Sequence, residues 1–308
     1  MKIGFFTEGA YQGKIERTHE NMRTDVAWIC SLNAVHHPIM TLNKLPDNEY
    51  DLGIMIIPKI KNDYIGLDIL SEYRRVCKKV SIMQESTYNW WQDSPLNEQV
   101  WYYNLLVDMD LIFCHNDLDL KYYGGITNKR VELLPSLMIT DNIVRRNEWG
   151  NGVILGGNFV LIYGGFDSYQ VALEISEDVT APTTGRMKPE ETQILNHLPW
   201  ISWSEWIKSL SQFYAGVQLG TPAAGTFNLN CSFHGIPCIG YSNLNTQNIL
   251  HPDTTVELGD IVGAKKIAKK LKDKDFYAKC SEKTIKLYEE CYSEEVFLDH
   301  MNKIFETL

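Results

Sequence analysis

The sequence predicts an α/β protein with two Rossmann-like domains, each built on a parallel β-sheet that helices cover on both faces. Three observations predict this class. Apolar, strand-like runs alternate with helix-like segments in the first half of the chain, and the alternation restarts after a glycine-rich stretch near residue 150. The length of 308 residues accommodates two domains of ordinary size. An amphipathic helix is predicted to end the chain.

The first half of the chain alternates predicted strands with predicted helices. Continuous apolar runs are typical of strands buried in a parallel sheet. Here these runs are MKIGFF (1–6), DLGIMIIP (51–58), VSIMQES (80–86), LIFCHN (111–116) and KRVELLPS (129–136). Apolar residues recur at helical spacing in the segments 19–34, 65–79 and 101–110. This β-α-β-α-β order predicts parallel strands joined by helical crossovers.

The second half is predicted to repeat this organisation after a linker. RRNEWGNGVILGGN (145–158) has four glycines and no periodicity, so it is predicted to be a linker with solvated arginines. NFVLIYGGF (158–166) is then predicted to be a strand that runs into a glycine turn. The remaining predicted elements are helices at 188–198, 204–216 and 263–290 and the strand IPCIGY at 236–241. The predicted domains are 1–150 and 151–290, and the final helix, 291–308, is predicted to pack on the first domain.

Composition and charge exclude several classes of protein. Hydrophobic residues make up 44% and charged residues 22% of the chain, as in globular proteins. No apolar run is long enough to span a bilayer, and the first residues do not form a secretory signal. Seven cysteines without a CxxC pair disfavour a zinc cage and a disulfide framework, so a cytoplasmic location is expected. The formal charge of −10 disfavours non-specific binding to nucleic acid.

One segment carries many polar residues where a helix and a strand are predicted to meet. In PAAGTFNLNCSFHGIPCIGY (222–241), polar residues crowd positions 228–234, directly before the strand IPCIGY. The segment resembles the donor-binding segment of GT-B glycosyltransferases. There a loop contacts the sugar diphosphate, a helix carries a ribose-binding glutamate, and a glycine-proline turn enters a strand. YSEEVFLDHMNKIFETL (292–308) resembles the last helix of that superfamily, which crosses back to the N-terminal domain.

The resemblance implies a GT-B architecture, in which two Rossmann-like domains face a cleft. It implies an N-terminal acceptor-binding domain and a C-terminal domain that binds a nucleotide sugar, most simply a UDP-sugar. Gly225, Thr226 and Asn230 are then expected to contact the donor. Asn230 stands where the family has glutamate, and the upstream partner of the Glu-x7-Glu pair falls on Pro222, so a retaining mechanism does not follow. An amide still hydrogen-bonds a ribose hydroxyl, and helix capping is the alternative role for Asn230.

A glycine turn and two cations complete the predicted donor site. Gly164 and Gly165 follow the strand predicted at 158–166, where a glycine turn lets a phosphate approach the first amides of the next helix. Their spacing is not that of GxGxxG, which disfavours a dinucleotide site. Arg186 and Lys188, in TGRMKPEE, are expected to pair with the diphosphate.

Two residues that follow strands of the first half are candidates for catalysis. Glu85, in VSIMQES, is expected to take a proton from an acceptor hydroxyl as general base, with a solvated loop carboxylate as the alternative. His115, in LIFCHN, is expected at the same edge of the sheet, with a structural role as the alternative. This layout is similar to that of phage DNA β-glucosyltransferases, which implies an inverting transfer. Asp108 and Asp110 precede a strand, the wrong context for a metal-binding Asp-x-Asp motif, so neither a metal nor a tightly bound cofactor is expected.

The function predicted from the sequence is transfer of a sugar from a UDP-sugar to a hydroxyl of a glycan or of a hydroxymethylated DNA base. Two other classes stay open at this stage. One is a nucleotide-sugar epimerase of the same fold, and the other is a non-catalytic two-lobed ligand-binding protein. Hydrolysis of the donor without an acceptor would favour the transferase, and isomerisation of the sugar without transfer would favour the epimerase.

Overall fold

The computed structural model describes residues 1–8, 12–57, 68–222 and 224–308. The chain divides into two compact units. Unit 1 contains Met1–His19, Asp25–Pro135 and Phe297–Leu308, and unit 2 contains Glu20–Thr24 and Ser136–Val296. By packing, residues 136–150 therefore group with unit 2. The functional domain limits at 150 and 290 stay a prediction.

Unit 1 is built on a six-stranded parallel sheet with the strand order β2-β1-β3-β4-β5-β6. Its strands are β1 (Ile3–Thr7), β2 (Val35–Pro38), β3 (Tyr50–Ile57), β4 (Cys77–Gln84), β5 (Leu111–Cys114) and β6 (Val131–Leu133). Its helices include α1 (Thr24–Ser31), α2 (Ile69–Val76), α3 (Leu96–Val107) and α4 (Asp117–Thr127). The order reverses between β1 and β3, so the topological switch point of this sheet lies there.

Unit 2 is built on a second six-stranded parallel sheet with the order β12-β11-β10-β7-β8-β9. Its strands are β7 (Val153–Leu155), β8 (Val179–Pro182), β9 (Asn196–Leu198), β10 (Ala215–Gln218), β11 (Cys238–Tyr241) and β12 (Thr255–Val256). Its helices are α5 (Gly165–Ala172), α6 (Trp203–Leu210), α7 (Thr226–Phe233), α8 (Asn245–Leu250), α9 (Ile261–Lys270) and α10 (Lys274–Cys291). Counted from β7 as the first strand, this is the doubly wound order 3-2-1-4-5-6, with its switch point between β7 and β10.

The predicted start of the second half is wrong in detail. The first strand of unit 2, β7, lies inside the segment predicted to be a linker. The apolar run predicted to be a strand at 158–166 instead contains a 3-10 turn, Leu161–Tyr163. Leu161 is 97% exposed, so this run is not a buried strand. The helix predicted at 188–198 is a 3-10 helix, Pro189–Gln193, followed by β9.

The arginines predicted to be solvated in this linker are engaged in unit 2. The Arg146 guanidinium donates hydrogen bonds to the carbonyl oxygens of Phe213 (2.7 Å), His234 (2.7 Å) and Gly235 (2.6 Å). It also donates to the Tyr277 hydroxyl at 2.8 Å. A planar guanidinium with five donors suits such a multiple contact. Arg146 therefore joins the start of unit 2 to its β10 and α7 regions.

The last helix, α11 (Glu294–Phe305), returns to unit 1 as predicted. Residues from Phe297 onward group with that unit, and the helix buries Phe297, Met301 and Ile304. The His300 ring donates a hydrogen bond from Nε2 to the carbonyl oxygen of Leu133 at 2.9 Å. The amphipathic pattern of the final segment thus predicted both the helix and its apolar face.

Candidate functional site

The carboxyl edge of the unit 2 sheet forms the candidate site. Open α/β sheets bind ligands at the switch point, outside the carboxyl ends of the strands. In unit 2 this point lies where β7 and β10 end. The Gln218 side chain donates from Nε2 to the Gly156 carbonyl oxygen at 2.8 Å, so the two strand ends are tied together there. We refer to the space outside these two strand ends as the crevice, and the Gln218 hydrogen bond fixes the two strand ends that border it.

Two helices begin at this edge, each after a left-handed glycine. α5 begins at Gly165 after Gly164, which has φ 57°, and α7 begins at Thr226 after Gly225, which has φ 61°. Among the residues that the structure describes, no side chain caps the first amides of either helix. Uncapped N-terminal amides and the helix dipole together attract anions. Each helix start is thus suited to bind a phosphate.

The structure requires glycine at these positions. A Cβ on Gly164 would lie 1.6 Å from the Leu219 carbonyl oxygen, and one on Gly225 would lie 1.9 Å from Thr246 Oγ1. A Cβ on Gly165 would lie 2.3 Å from the Asn158 carbonyl oxygen. The backbone around the crevice is therefore packed closely against both helix starts. The glycines that the sequence predicts for the donor site thus stand at two helix starts, although Gly164 follows a 3-10 turn and not a strand. Their contact with a donor stays a prediction.

Buried polar atoms at the same edge have no protein partner within the described parts of the chain. They are both amide atoms of Asn158, Oε1 of Gln218 and Oγ1 of Thr246, all in buried side chains. Asn158 lies just beyond β7, Gln218 ends β10, and Thr246 lies beyond β11. Buried polar groups are normally paired with protein, water or ligand. The sequence analysis did not identify these residues as part of the site, although a polar residue at or just after the end of an apolar strand could have indicated them.

The two predicted cations lie in the loop that follows β8. Arg186 and Lys188 are both exposed. Within the described residues, neither side chain is held by an ion pair, and the Arg186 backbone amide donates to Thr184 Oγ1 at 3.2 Å. Because β8 neighbours β7 and runs parallel to it, the loop belongs to the same carboxyl edge. Its positive charge is available to an anionic ligand.

Asn230, the third predicted contact on α7, is buried and already hydrogen-bonded. With its amide oxygen turned toward Trp206, it accepts from Trp206 Nε1 at 3.1 Å, and its amide nitrogen donates to the Thr226 carbonyl oxygen at 3.1 Å. It therefore supports the first turn of α7 from within. Its direct contact with a donor stays a prediction.

The other polar residues of 222–241 also tie α7 to its surroundings. Asn228 donates to Gln247 Oε1 at 2.6 Å. His234 donates from Nε2 to the Ile207 carbonyl oxygen at 2.8 Å, which leaves Nδ1 as the acceptor of the Arg146 amide at 3.3 Å. Burial lowers the pKa of His234 from 6.5 to about 4, so its ring is neutral near pH 7. The polar character of the segment is thus largely structural.

The two predicted catalytic residues lie at the carboxyl edge of the unit 1 sheet. Met83 pairs with Phe113 across β4 and β5, so Glu85 and His115, each two residues further on, leave the sheet side by side. Glu85 is exposed, and its backbone amide donates to the Ile57 carbonyl oxygen at 3.0 Å. The His115 ring is partly buried and stacks on Trp28 with a centroid distance of 5.7 Å. Their catalytic roles stay predictions.

Unit 1 also carries an open polar cavity in the segment that follows β1. It has a volume of about 340 Å³ and is lined by Gln12, Lys14, Ile15, Glu16, Thr18 and His19. Segment 12–19 lies beside the edge strand β2, where the backbones of Gly13 and His36 exchange two hydrogen bonds of 2.8 Å. Five of its six lining residues carry a polar side chain, so groups that can hydrogen-bond a hydroxyl-rich ligand border the cavity.

Neither a metal centre nor a membrane span is found in the described part of the chain. Among residues 1–8, 12–57, 68–222 and 224–308, no three His, Cys, Asp or Glu side chains are grouped as metal ligands. In the same ranges, no helix is long and apolar enough to cross a bilayer.

Comparison with known proteins supports the fold through structure alone. No known protein family and no curated protein matches the sequence. HepE from Anabaena, in complex with UDP-glucose, superposes with a TM-score of 0.71 at 10% identity and 100% coverage of both chains. The chain has the GT-B fold. Sucrose-phosphate synthase from Thermosynechococcus elongatus superposes with a TM-score of 0.70 at 9% identity, covering 100% of this chain and 99% of that one.

A third similar structure is longer than this chain. A mutant of S. aureus TarM, in complex with fondaparinux, alpha-GlcNAc-glycerol and UDP, superposes with a TM-score of 0.65 at 12% identity. The match covers 87% of this chain but only 58% of the TarM chain. Identities this low establish the shared GT-B fold and not a shared substrate. The similarity to phage DNA β-glucosyltransferases stays a prediction.

Proposed function

We propose that the protein is a glycosyltransferase that transfers a sugar from a UDP-sugar to an acceptor hydroxyl. The observation that carries the proposal is the pair of uncapped helix N-termini, each preceded by a left-handed glycine, beside the switch point of unit 2. The GT-B fold supports it, as do the uridine nucleotides bound to HepE and TarM.

In this proposal the diphosphate lies against the starts of α5 and α7. Gly164 and Gly165 supply the amides of α5, and Gly225 and Thr226 supply those of α7. Asn230 either supports the first turn of α7 or hydrogen-bonds the ribose of the donor. Arg186 and Lys188 neutralise the phosphates from the loop after β8. Helix amides and fixed cations of this kind stabilise the negative charge that develops on the departing UDP.

The chemistry we propose is a single inverting displacement with Glu85 as general base. The Glu85 carboxylate takes the proton of the acceptor hydroxyl while that oxygen bonds to the anomeric carbon of the sugar. The bond between the anomeric carbon and the diphosphate oxygen breaks, and UDP leaves with the electron pair. His115 is the second candidate for the base, because it leaves the neighbouring strand at the same edge.

We propose a saccharide as the acceptor. The polar cavity of segment 12–19 offers hydroxyl, amide and charged groups that can hydrogen-bond sugar hydroxyls. The formal charge of −10 works against a DNA acceptor, because phosphate contacts require clustered cations. Transfer to a hydroxymethylated DNA base is the outcome that would overturn this choice.

The donor is tested by calorimetry and thermal unfolding with UDP, UDP-sugars, ADP and uridine. Saturation at a hundred times the Kd stabilises a protein by about 2.7 kcal/mol, so UDP and the true UDP-sugar should raise Tm clearly above the effect of ADP. Incubation with the UDP-sugar alone then separates the classes. Slow release of UDP indicates a transferase, and isomerised sugar indicates an epimerase. Binding without any turnover, even with saccharide acceptors, indicates a ligand-binding protein, and the absence of uridine-nucleotide binding refutes the proposal.

The base is tested with Glu85→Gln, which keeps the shape and removes the basicity. Because a positioned base contributes about 10²–10⁴ in rate, turnover should fall at least about a hundredfold while the Kd for UDP stays the same. The matched control is Glu282→Gln, an exposed glutamate on α10. If the Glu85 variant keeps its turnover and His115→Ala loses it, the role passes to His115.

A further inference from the structure

A buried carboxylate lies beneath the loop after β8, which carries Arg186 and Lys188 and is called the cationic loop. Glu191 is only 2% exposed, although its 3-10 helix, Pro189–Gln193, lies on the surface and its neighbour Glu190 is exposed. A buried carboxylate is costly unless hydrogen bonds compensate its charge. We therefore expect the Glu191 side chain to accept hydrogen bonds from groups inside unit 2.

One oxygen of this carboxylate holds two separate loops. Glu191 Oε1 accepts a hydrogen bond from the Lys188 backbone amide at 2.9 Å and another from the Phe159 backbone amide at 3.1 Å. Phe159 is 32 residues away along the chain and follows Asn158 in the loop after β7. Lys188 belongs to the loop after β8 that also carries Arg186. A shared acceptor atom sets the separation of the two loops.

The second oxygen faces a histidine. Glu191 Oε2 lies 3.5 Å from Nε2 of His197 on β9 and has no hydrogen bond within the described residues. His197 is itself largely buried, and its ring nitrogens have no hydrogen-bond partner in the same part of the chain. The carboxylate is therefore confined between the two amides on one side and the imidazole on the other.

We propose that Glu191 is a positioning residue of the donor site, which it serves by locking the loop after β7 to the cationic loop after β8. This inference rests on the proposed function. Glu191 is too buried to touch the donor itself. It acts through the loops, because the distance between the Asn158 side of the crevice and the Arg186 and Lys188 charges depends on its Oε1 atom.

The test compares three variants of Glu191 with a neighbouring control. Glu191→Ala removes the shared acceptor, Glu191→Asp shortens the reach while keeping the charge, and Glu191→Gln keeps an oxygen that accepts both amides. Glu190→Gln, one residue earlier and exposed, is the control. The readouts are the Kd for UDP, the KM for the UDP-sugar, kcat, Tm and hydrogen exchange at the Phe159 and Lys188 amides.

We expect the Ala and Asp variants to raise the Kd for UDP and the KM for the UDP-sugar at least about tenfold, with kcat at saturating donor changed less. Exchange at the Phe159 and Lys188 amides should rise in the same variants, and Glu191→Gln should restore most of the affinity. If the Ala variant does not fold, the Asp variant carries the test. A lowered Tm with an unchanged Kd for UDP would show a merely structural role and overturn the inference. If the wild-type protein binds no uridine nucleotide, the proposed function and this inference fail together.

Discussion

Substitution of Gly164 by alanine tests the start of α5 as part of the donor site. Gly164 has φ 57°, and a Cβ there would lie 1.6 Å from the Leu219 carbonyl oxygen and 2.5 Å from its carbonyl carbon. The obstacle is backbone at the end of β10, which cannot rotate away as a side chain would. Either α5 or the β10 end must move, and both border the crevice.

The cost has two parts. A left-handed backbone conformation costs a residue other than glycine about 1–2 kcal/mol. Relief of an overpacked contact costs about 1–3 kcal/mol. The free energy of unfolding should therefore fall by about 3 kcal/mol. At an unfolding entropy of about 2.1 cal/mol/K per residue, this lowers Tm by about 5 °C for a chain of 308 residues. Because the α5 amides shift with the backbone, the Kd for UDP should rise at least about tenfold.

Differential scanning calorimetry and isothermal titration with UDP measure the two effects. Gly185→Ala is the matched control, because a Cβ there has no atom of the described residues within 4 Å and Gly185 lies in the exposed loop after β8. The control should keep both Tm and Kd. A Gly164→Ala protein with the Tm and the UDP affinity of the wild type would refute the close packing at this turn and its role in binding.

Three further predictions concern unit 2. Arg146→Met should lower the free energy of unfolding in urea by about 3 kcal/mol, because several buried acceptors lose their donor at once, and an unchanged midpoint would contradict this. Burial lowers the pKa of both His234 and His251 from 6.5 to about 4, so the stability they contribute is complete above pH 6.5 and is lost as the pH falls toward 4. Each of these two histidines should lower the free energy of unfolding by about 2 kcal/mol at pH 5 relative to pH 8, and a stability that does not change with pH would refute this prediction. Arg186→Ala combined with Lys188→Ala should weaken binding of UDP at least about tenfold while leaving Tm and the affinity for uridine unchanged.

Much of the fold could be predicted because its signals are local. The continuous apolar runs at β1, β3, β4 and β5 belong to strands covered on both faces, and a covered strand needs no alternation. The pattern of α11 likewise marked its buried face. By contrast, β7 has only three residues, and it pairs with β8 and β10, which come later in the chain. Three residues are too few to show a periodicity, so the sequence favours the longer apolar run at 158–166 as the strand.

Some residues of the candidate site could likewise be predicted from local sequence, and others could not. Gly164, Gly165 and Gly225 could be named from the sequence, because a glycine beside a helix start signals a special backbone conformation. Glu191 lies within TGRMKPEE, but nothing in that segment shows that its carboxylate turns inward to an amide 32 residues away.

By itself, the sequence determined the α/β class, the repetition of the pattern in two halves, the amphipathic final helix and the glycine turns. Each depends on neighbouring residues whose spacing sets which side chains share a face. Only the tertiary structure decided where the second sheet begins and that the partly buried Arg146 donates to several groups of unit 2. It also decided that Asn158 and Gln218 lie at the carboxyl edge of that sheet and that Glu191 is buried beneath the loop after β8. The physical reason is that a polar side chain acquires its role from the donors and acceptors packed around it. Folding brings those groups together from segments that are distant along the chain.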